Sequence, residues 1–211
     1  MLNVPIQRDV FLCNLMNQMK NPIIHIHNTE VLSDNWYLLN KVTFDYQKKD
    51  DSWITQKREV YDRGNGAAIL LYNLCYKTVI LTKQFRLPTY LNGNESGMMI
   101  EVCAGMLDLD NPETCVIRET EEETGYRITK VNRIMETYMS PGAVTEILHL
   151  FTGEYDPSMK VSEGGGVAHE EEHIEVLEMP FETAFNMIAT GEIKDAKTII
   201  LLQYAKLKQL L

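Results

Sequence analysis

The sequence has 211 residues, of which 45% are hydrophobic and 24% are charged. This balance is typical of a globular protein with one sizeable core, or one core plus a small accessory element, and it excludes a disordered or fibrous chain. The formal net charge of −10 argues against non-specific binding to DNA or RNA, because an acidic surface repels phosphate backbones. Small phosphorylated ligands remain compatible with it, since a metal ion and a few cations can reverse the local charge.

Cysteine usage and hydropathy both indicate a cytoplasmic protein. The four cysteines form no CxxC pair and no zinc-finger spacing, so we expect reduced thiols. Arg8 and Asp9 interrupt the apolar residues at the N-terminus, which is unlike a secretory signal. No apolar run approaches the ~20 residues of a membrane-spanning helix. We therefore predict a cytoplasmic location, with no membrane and no nucleic-acid partner.

The first predicted elements are strands. After an ambiguous lead-in over residues 1–21, segments rich in β-branched and aromatic residues predict strands at Pro22–His27, Trp36–Tyr46 and Ile54–Tyr61. A run of strands before any strong helix predicts a small antiparallel sheet.

A second region begins at the turn signal Gly64-Asn65-Gly66. It mixes strands with helices, which predicts an α/β architecture with helices packed on a central sheet. Strands are expected at Ala67–Leu74, Thr78–Phe85, Met98–Cys103, Ile134–Tyr138, Ile147–Tyr155 and Ile174–Glu178. Helices are expected at Pro112–Thr124, Phe181–Thr190 and Ala196–Leu210. We divide the chain into residues 1–63 and residues 64–211.

The most informative element is the acidic helix Pro112–Thr124. Asn111 is a good N-cap before it, and Gly125 is a good terminator after it. Helical spacing places its glutamates 119, 122 and 123 on one face, where like charges oppose each other. A hard dication with oxygen ligands would remove that repulsion.

A solvated acidic face is the ordinary interpretation of a glutamate run. Here the run has fixed neighbours, with Gly105 before it, Arg118-Glu119 at its start and Gly125 at its end. The segment resembles the Nudix box through the pattern Arg118-Glu119-Thr120-Glu121-Glu122-Glu123-Thr124-Gly125. It departs in two ways: the Gly105 to Arg118 segment is one residue shorter than usual, and Asn111 occupies the position of a loop glutamate.

The resemblance extends beyond the box to the GDP-mannose pyrophosphatase branch of the Nudix hydrolases. It runs from about Val31 to the last helix. The stretches that carry it are Leu32–Asn35, Lys57–Gly66, Gln84–Arg86, Asn92–Gly97, Tyr138–Gly142 with Thr145-Glu146, and Gly164–Gly166. It implies a Nudix-like α/β/α sandwich around a mixed sheet, preceded by a small N-terminal antiparallel β-sheet region that mediates homodimerisation.

The resemblance also implies the site residues. The metal ligands would be Ala104 through its carbonyl, Glu119, Glu122, Glu123 and Glu172, binding Mg²⁺ or alternatively Mn²⁺. Glu119, Glu123 and Glu172 would be catalytic, with Glu172 as first choice for the general base, and Arg118 would orient a carboxylate. The substrate contacts would be Trp36 from the partner subunit, Lys57, Arg58, Glu59, Arg86, Ala104, Gly105, Met106, Glu123, Glu146, Glu171, Glu172 and Lys197.

Some of these residues have plain alternatives. Trp36 could be ordinary strand core, and Arg58 and Arg63 could be surface partners of neighbouring acids. Residues 170–172 could be a disordered acidic loop. His169 and His173 flank that loop, and a metal or catalytic role is the less favoured interpretation for either.

The function implied by the resemblance is magnesium-dependent hydrolysis of the pyrophosphate bond of a nucleotide sugar, with GDP-mannose giving GMP and mannose 1-phosphate. Arginine suits the bidentate phosphate contacts that this chemistry needs. Two alternatives stay open: an ADP-ribose pyrophosphatase, and a non-catalytic regulator that binds nucleotide sugars on a Nudix scaffold.

Overall fold

The computed structural model describes residues 21–166 and 173–211. These residues divide into two compact units on either side of the Asp62–Arg63 bond. The predicted segments at residues 1–20 and 167–172, which include Glu171 and Glu172, lie outside the described residues. Within the described part, no helix has the length and apolar character that a membrane crossing requires.

The N-terminal unit is a three-stranded antiparallel sheet. Its strands are β1 (Ile24–Asp34), β2 (Leu38–Gln47) and β3 (Trp53–Asp62), in the order β1-β2-β3. The predicted small antiparallel sheet is therefore confirmed. Trp36 lies in the bend between β1 and β2 rather than in a strand, and this residue is 83% exposed. The interpretation of Trp36 as strand core is wrong.

The second unit is built on a seven-stranded mixed sheet. Its elements in chain order are β4 (Gly66–Asn73), β5 (Thr78–Phe85), α1 (Leu87–Leu91), β6 (Met98–Glu101), β7 (Cys103–Met106), α2 (Pro112–Thr124), β8 (Asn132–Tyr138), β9 (Ile147–Glu154), a 3-10 turn (Pro157–Met159), β10 (Glu175–Pro180), α3 (Phe181–Thr190) and α4 (Ala196–Leu207). The main path is β10-β5-β4-β9-β8, with β6 on β5 and β7 on β4. β4 and β9 run parallel, whereas the other pairs are antiparallel.

Strand β4 carries a core on each of its faces, because successive side chains of a strand point to opposite sides. Ala67 and Ile69 pack with Cys115 and Val116 of α2 in one cluster. Ala68 and Leu70 pack in the other cluster, with residues of α3 and α4 that include Phe181, Ala184, Leu201 and Leu202. This two-sided burial confirms the predicted α/β/α sandwich.

The segment Met98–Cys103 was predicted as one strand, and this is wrong. The chain forms two strands, β6 and β7, separated at Val102. β4 and β5 pair only over Leu71–Asn73 and Thr78–Ile80, and they diverge beyond these residues. The segment therefore pairs first with β5, as β6, and then with β4, as β7. The Val102 N–H turns to the hydroxyl of Thr198 instead, at 2.8 Å.

The C-terminal end of α2 is bound to the glycine segment 164–166. The N–H groups of Gly165 and Gly166 donate to the carbonyls of Glu123 and Glu122, at 2.9 and 3.1 Å. A helix leaves its last carbonyls without partners inside the helix, so these bonds satisfy them. Gly125 ends the helix at φ 78°, where a side chain would overlap the Ser162 carbonyl.

This contact predicts a costly substitution at Gly125. Both Gly125 and Gly93 have positive φ, but a side chain at Gly93 would meet none of the described residues within 4 Å. We expect Gly93→Ala to cost about 1 kcal/mol from its left-handed backbone alone. Gly125→Ala should cost at least about 1 kcal/mol more because of the overlap. Urea unfolding of both variants measures the difference, and equal losses would show that the Ser162 backbone yields freely.

Candidate active site

Helix α2 approaches strand β7 closely at Gly105. The Glu119 carboxylate occupies the space that a side chain at position 105 would need. In the sheet, Gly105 lies opposite Ala67 and Ala104 opposite Ala68. The absence of a side chain at position 105 therefore allows a helix carboxylate to rest on the backbone of β7.

The end of α2 brings a second carboxylate to the same strand. Glu123 is 2% exposed, and its Oε2 accepts a hydrogen bond from the Ala104 N–H at 3.3 Å. Burial, and next the charge of Glu123, raise the pKa of the Cys103 thiol well above its ordinary value. Cys103 therefore stays protonated beside the carboxylate.

Arg118 holds the other carboxylates of the helix face. Its Nη1 lies 2.9 Å from Glu119 Oε1 and 2.9 Å from Glu122 Oε2, and its Nε lies 3.4 Å from Asp110 Oδ2. One guanidinium thus offsets much of the repulsion between glutamates 119 and 122 and sets the direction of their side chains.

The donor set fits a hard divalent cation. Glu119 and Glu123 lie against β7, and the Ala104 carbonyl is part of that strand, so the available ligands are all oxygens. A carboxylate as buried as Glu123 is costly unless it is hydrogen-bonded and paired with positive charge. Among the described residues, no three acidic, cysteine or histidine side chains already converge on one point.

The loop residues before β4 and β9 lie at the same end of the sheet. The Asn65 side chain accepts from the Ile147 N–H, and the Asn65 carbonyl accepts from the Leu107 N–H, both at 2.9 Å. Glu146 is largely buried, and its Oε1 lies 3.6 Å from Arg63 Nε. Arg63 also donates to the Met106 sulfur, at 3.2 Å. Glu146 and Met106 are thus brought together with Gly105.

Arg86 and Lys197 are joined through one carboxylate, that of Glu101. Glu101 Oε2 accepts from Arg86 Nε at 2.8 Å, and Glu101 Oε1 accepts from Lys197 Nζ at 2.7 Å. Lys197 also pairs with Asp195 at 3.0 Å. Asp195 Oδ2 caps α4 by accepting from the N–H of Thr198, at 2.9 Å. Two predicted substrate contacts from distant parts of the chain therefore share one buried anchor.

The sequence prediction missed Glu101 and Asp195. Both left a detectable signal: Glu101 interrupts an apolar strand, and Asp195 precedes a helix in an N-cap position. A carboxylate in a buried strand needs a cationic partner, but the sequence does not say which cation provides it.

The remaining predicted contacts lie in the N-terminal unit. Lys57, Arg58 and Glu59 are exposed on β3, an edge strand of the small sheet. The alternation of a strand puts Lys57 and Glu59 on one face and Arg58 on the other. Trp36 is exposed in the bend of the same unit.

Two family models match the chain. The model of the GDP-mannose pyrophosphatase NudK N-terminal domain matches residues 23–61, and the NUDIX domain model matches residues 62–202. The second match alone covers more than half of the sequence, so the chain belongs to the Nudix hydrolase family.

Curated relatives narrow this family to a branch. A GDP-mannose pyrophosphatase from Escherichia coli O1:K1 / APEC is 54% identical over 182 residues, which cover 86% of this chain and 94% of the relative. Proteins of the same name from Shigella dysenteriae serotype 1 (strain Sd197) and Escherichia coli O157:H7 have the same identity and coverage. The predicted GDP-mannose pyrophosphatase branch is confirmed.

A solved structure agrees with the fold. A crystal structure of an ADP compounds hydrolase superposes with a TM-score of 0.66, covering 92% of this chain and 99% of that one. At 15% identity, the likeness concerns the fold alone.

Because of the Glu101–Lys197 pair, we expect the folded protein to lose stability in acid. Burial alone would raise the pKa of Glu101, but Lys197 and Arg86 together hold it below the ordinary 4.5. The stabilisation is therefore complete above pH 4.5 and is lost as pH falls through the lower folded-state pKa. We expect Glu101→Gln to cost about 3 kcal/mol at neutral pH and to flatten the acid limb of the unfolding free energy.

Urea unfolding across the acidic range measures this effect. Glu182→Gln is the matched control, because Glu182 pairs with Lys206 at 2.6 Å but both side chains are exposed. That control should cost at most about 0.5 kcal/mol. If both variants gave the same pH profile, the pair would have no special role in acid stability.

Proposed function

We propose that the chain is a magnesium-dependent pyrophosphatase that hydrolyses GDP-mannose to GMP and mannose 1-phosphate. The observation that carries this proposal is the 54% identity to GDP-mannose pyrophosphatases over 94% of their length. The site supports it chemically. Glu119 and Glu123 rest on the backbone of β7, and Glu101, in the strand just before it, binds Arg86 and Lys197.

The proposed metal ligands are Glu119, Glu122, Glu123, Glu172 and the carbonyl of Ala104. When bound there, Mg²⁺ or Mn²⁺ would neutralise diphosphate oxygens and lower the pKa of a water molecule. Oxygen-only ligands favour such hard cations over zinc or copper.

The chain's own residues would do the rest. Arg118 keeps Glu119 and Glu122 oriented. Arg86 and Lys197 supply positive charge to the diphosphate. Glu172 is the proposed general base: it takes a proton from the water whose oxygen attacks phosphorus, while the bridging phosphorus–oxygen bond breaks. The further proposed substrate contacts are Gly105, Met106, Glu146 and Glu171.

Phosphorus NMR of the products, with magnesium present, tests the reaction. We expect GMP and mannose 1-phosphate from GDP-mannose, and slower hydrolysis of ADP-ribose. Glu123→Gln should lower kcat by about 10²-fold or more, because it removes charge from the proposed metal site.

Glu121→Gln is the matched control on the same helix. Glu121 faces away from the site and pairs with Arg127 at 2.7 Å, so its loss should leave kcat unchanged. Full turnover by Glu123→Gln would reject the metal assignment. Preferred cleavage of ADP-ribose would favour the ADP-ribose pyrophosphatase, and saturable binding without product would favour the regulator.

We further propose that residues 1–63 form a dimerisation region and residues 64–211 the catalytic domain. The small sheet exposes apolar side chains: Ile26 is 67% and Val31 57% exposed. Exposed apolar groups on a sheet with open edges favour association with another chain. In the homodimer, Trp36, Lys57, Arg58 and Glu59 would bind the nucleotide, with Trp36 reaching the partner's site.

Light scattering should give twice the 24.3 kDa mass of one chain. Trp36→Ala should keep that mass but raise KM for GDP-mannose about tenfold, since stacking on a base contributes about 1–3 kcal/mol. Trp53→Ala, at another exposed tryptophan of this sheet, is the comparison and should leave KM unchanged. A monomer with full activity would contradict the proposed contribution of a partner subunit.

We also infer a cytoplasmic location, supported by the three free cysteines of the described residues. Cell fractionation tests it.

A further inference from the structure

We infer that Glu101 is a positioning residue that makes Arg86 present only its two terminal nitrogens, end-on, to the diphosphate of the substrate. This inference rests on the proposed function, because it concerns how the same site holds a diphosphate. It follows from how the Arg86 side chain and backbone are held in the structure.

The Glu101 carboxylate itself has little freedom. Glu101 is 5% exposed and lies opposite Thr82 of β5, whose hydroxyl donates to its carbonyl at 3.3 Å. The next residue, Val102, donates its N–H to Thr198 of α4. Threonine hydroxyls of β5 and α4 therefore hold the backbone that carries the carboxylate before any ligand arrives.

The backbone of Arg86 is held in the same way. Its N–H donates to the Gly97 carbonyl at 2.8 Å, and its carbonyl accepts from the Thr89 N–H at 3.0 Å. The arginine side chain remains adjustable, and it would lose freedom of rotation about several bonds on binding an anion. The hydrogen bond from Nε to Glu101 restricts these rotations in advance.

This bond also decides which edge of the guanidinium is available. An arginine binds a phosphate in a bidentate manner through two adjacent nitrogens, either Nε with one Nη or the two Nη atoms. Because Glu101 takes Nε, the edge that does not involve it is the Nη1–Nη2 edge. The Arg86 side chain is 41% exposed, so that edge can reach solvent and substrate.

The charges of the cluster explain why a carboxylate is needed there. Arg86 and Lys197 carry two positive charges, and Glu101 and Asp195 carry two negative charges. Without Glu101, two cations near one buried point would repel each other. The carboxylate keeps both in place, and Lys197 in turn holds the second carboxylate oxygen.

A double-mutant cycle with a non-hydrolysable probe tests the inference. The probe is methylenediphosphonate, and its binding is measured by calorimetry with Mg²⁺ present. We expect Glu101→Gln and Arg86→Ala each to weaken binding about tenfold, as expected for a charge-assisted hydrogen bond. The double variant should be no weaker than Arg86→Ala, because Asp195 still holds Lys197 at 3.0 Å and Glu101 acts on the probe through Arg86. A hundredfold, additive loss would overturn the inference, as would unchanged binding by Glu101→Gln.

Arg86→Lys is the second variant, and it covers the case in which Glu101→Gln does not fold. Lysine can keep the ion pair with Glu101 but has no terminal nitrogens beyond it. We expect Arg86→Lys to bind the probe as weakly as Arg86→Ala while keeping the thermal stability of the wild type. Wild-type affinity in Arg86→Lys would overturn end-on binding.

The binding assay separates this inference from the proposed function. If the wild-type chain bound the probe and the cycle were non-additive, but GDP-mannose stayed intact, only the proposed reaction would fail. If the wild-type chain did not bind the probe, the role of Arg86 in diphosphate binding would be rejected, whatever the hydrolysis assay gave.

Discussion

The close approach of helix α2 to strand β7 is the constraint on which the site depends. It exists because position 105 has no side chain, so the Glu119 carboxylate can occupy that space. The same approach brings Glu123 to the Ala104 N–H, where it is almost fully buried. At the end of the helix, the N–H groups of Gly125, Gly165 and Gly166 donate to its last carbonyls. Helix position, carboxylate position and loop attachment are therefore one packing arrangement.

Although the chain as a whole is acidic, the charged side chains around this packing arrangement are paired locally with opposite charges. Arg118 binds two glutamates of the helix face, while Glu101 binds Arg86 and Lys197. In each case one central group spans two groups of opposite charge. Such pairing limits the desolvation cost of buried charges and holds long side chains in defined directions. The result is a set of acidic and basic side chains held in defined directions, as the proposed binding of a metal and a diphosphate would require.

Local signals predicted several elements to the residue. Helices Pro112–Thr124 and Phe181–Thr190 have the expected bounds, and the glycines that end them, Gly125 and Gly191, adopt the left-handed conformation. Asn111 accepts from the Thr114 N–H at 3.0 Å, as an N-cap does. These features depend on residues within one or two turns of each other, so the local sequence contains them.

Features that depend on distant partners were not predictable in the same way. The break at Val102 follows from the divergence of β4 and β5, because each half of the segment takes hydrogen bonds from a different strand. The anchoring of Arg86 and Lys197 by Glu101 joins three separate parts of the chain. The sequence by itself determined the acidic helix, its caps, the family and the set of charged residues. Only the tertiary structure decided which cation meets which carboxylate, because pairing in a low-dielectric interior depends on distances that the packing of strands and helices sets.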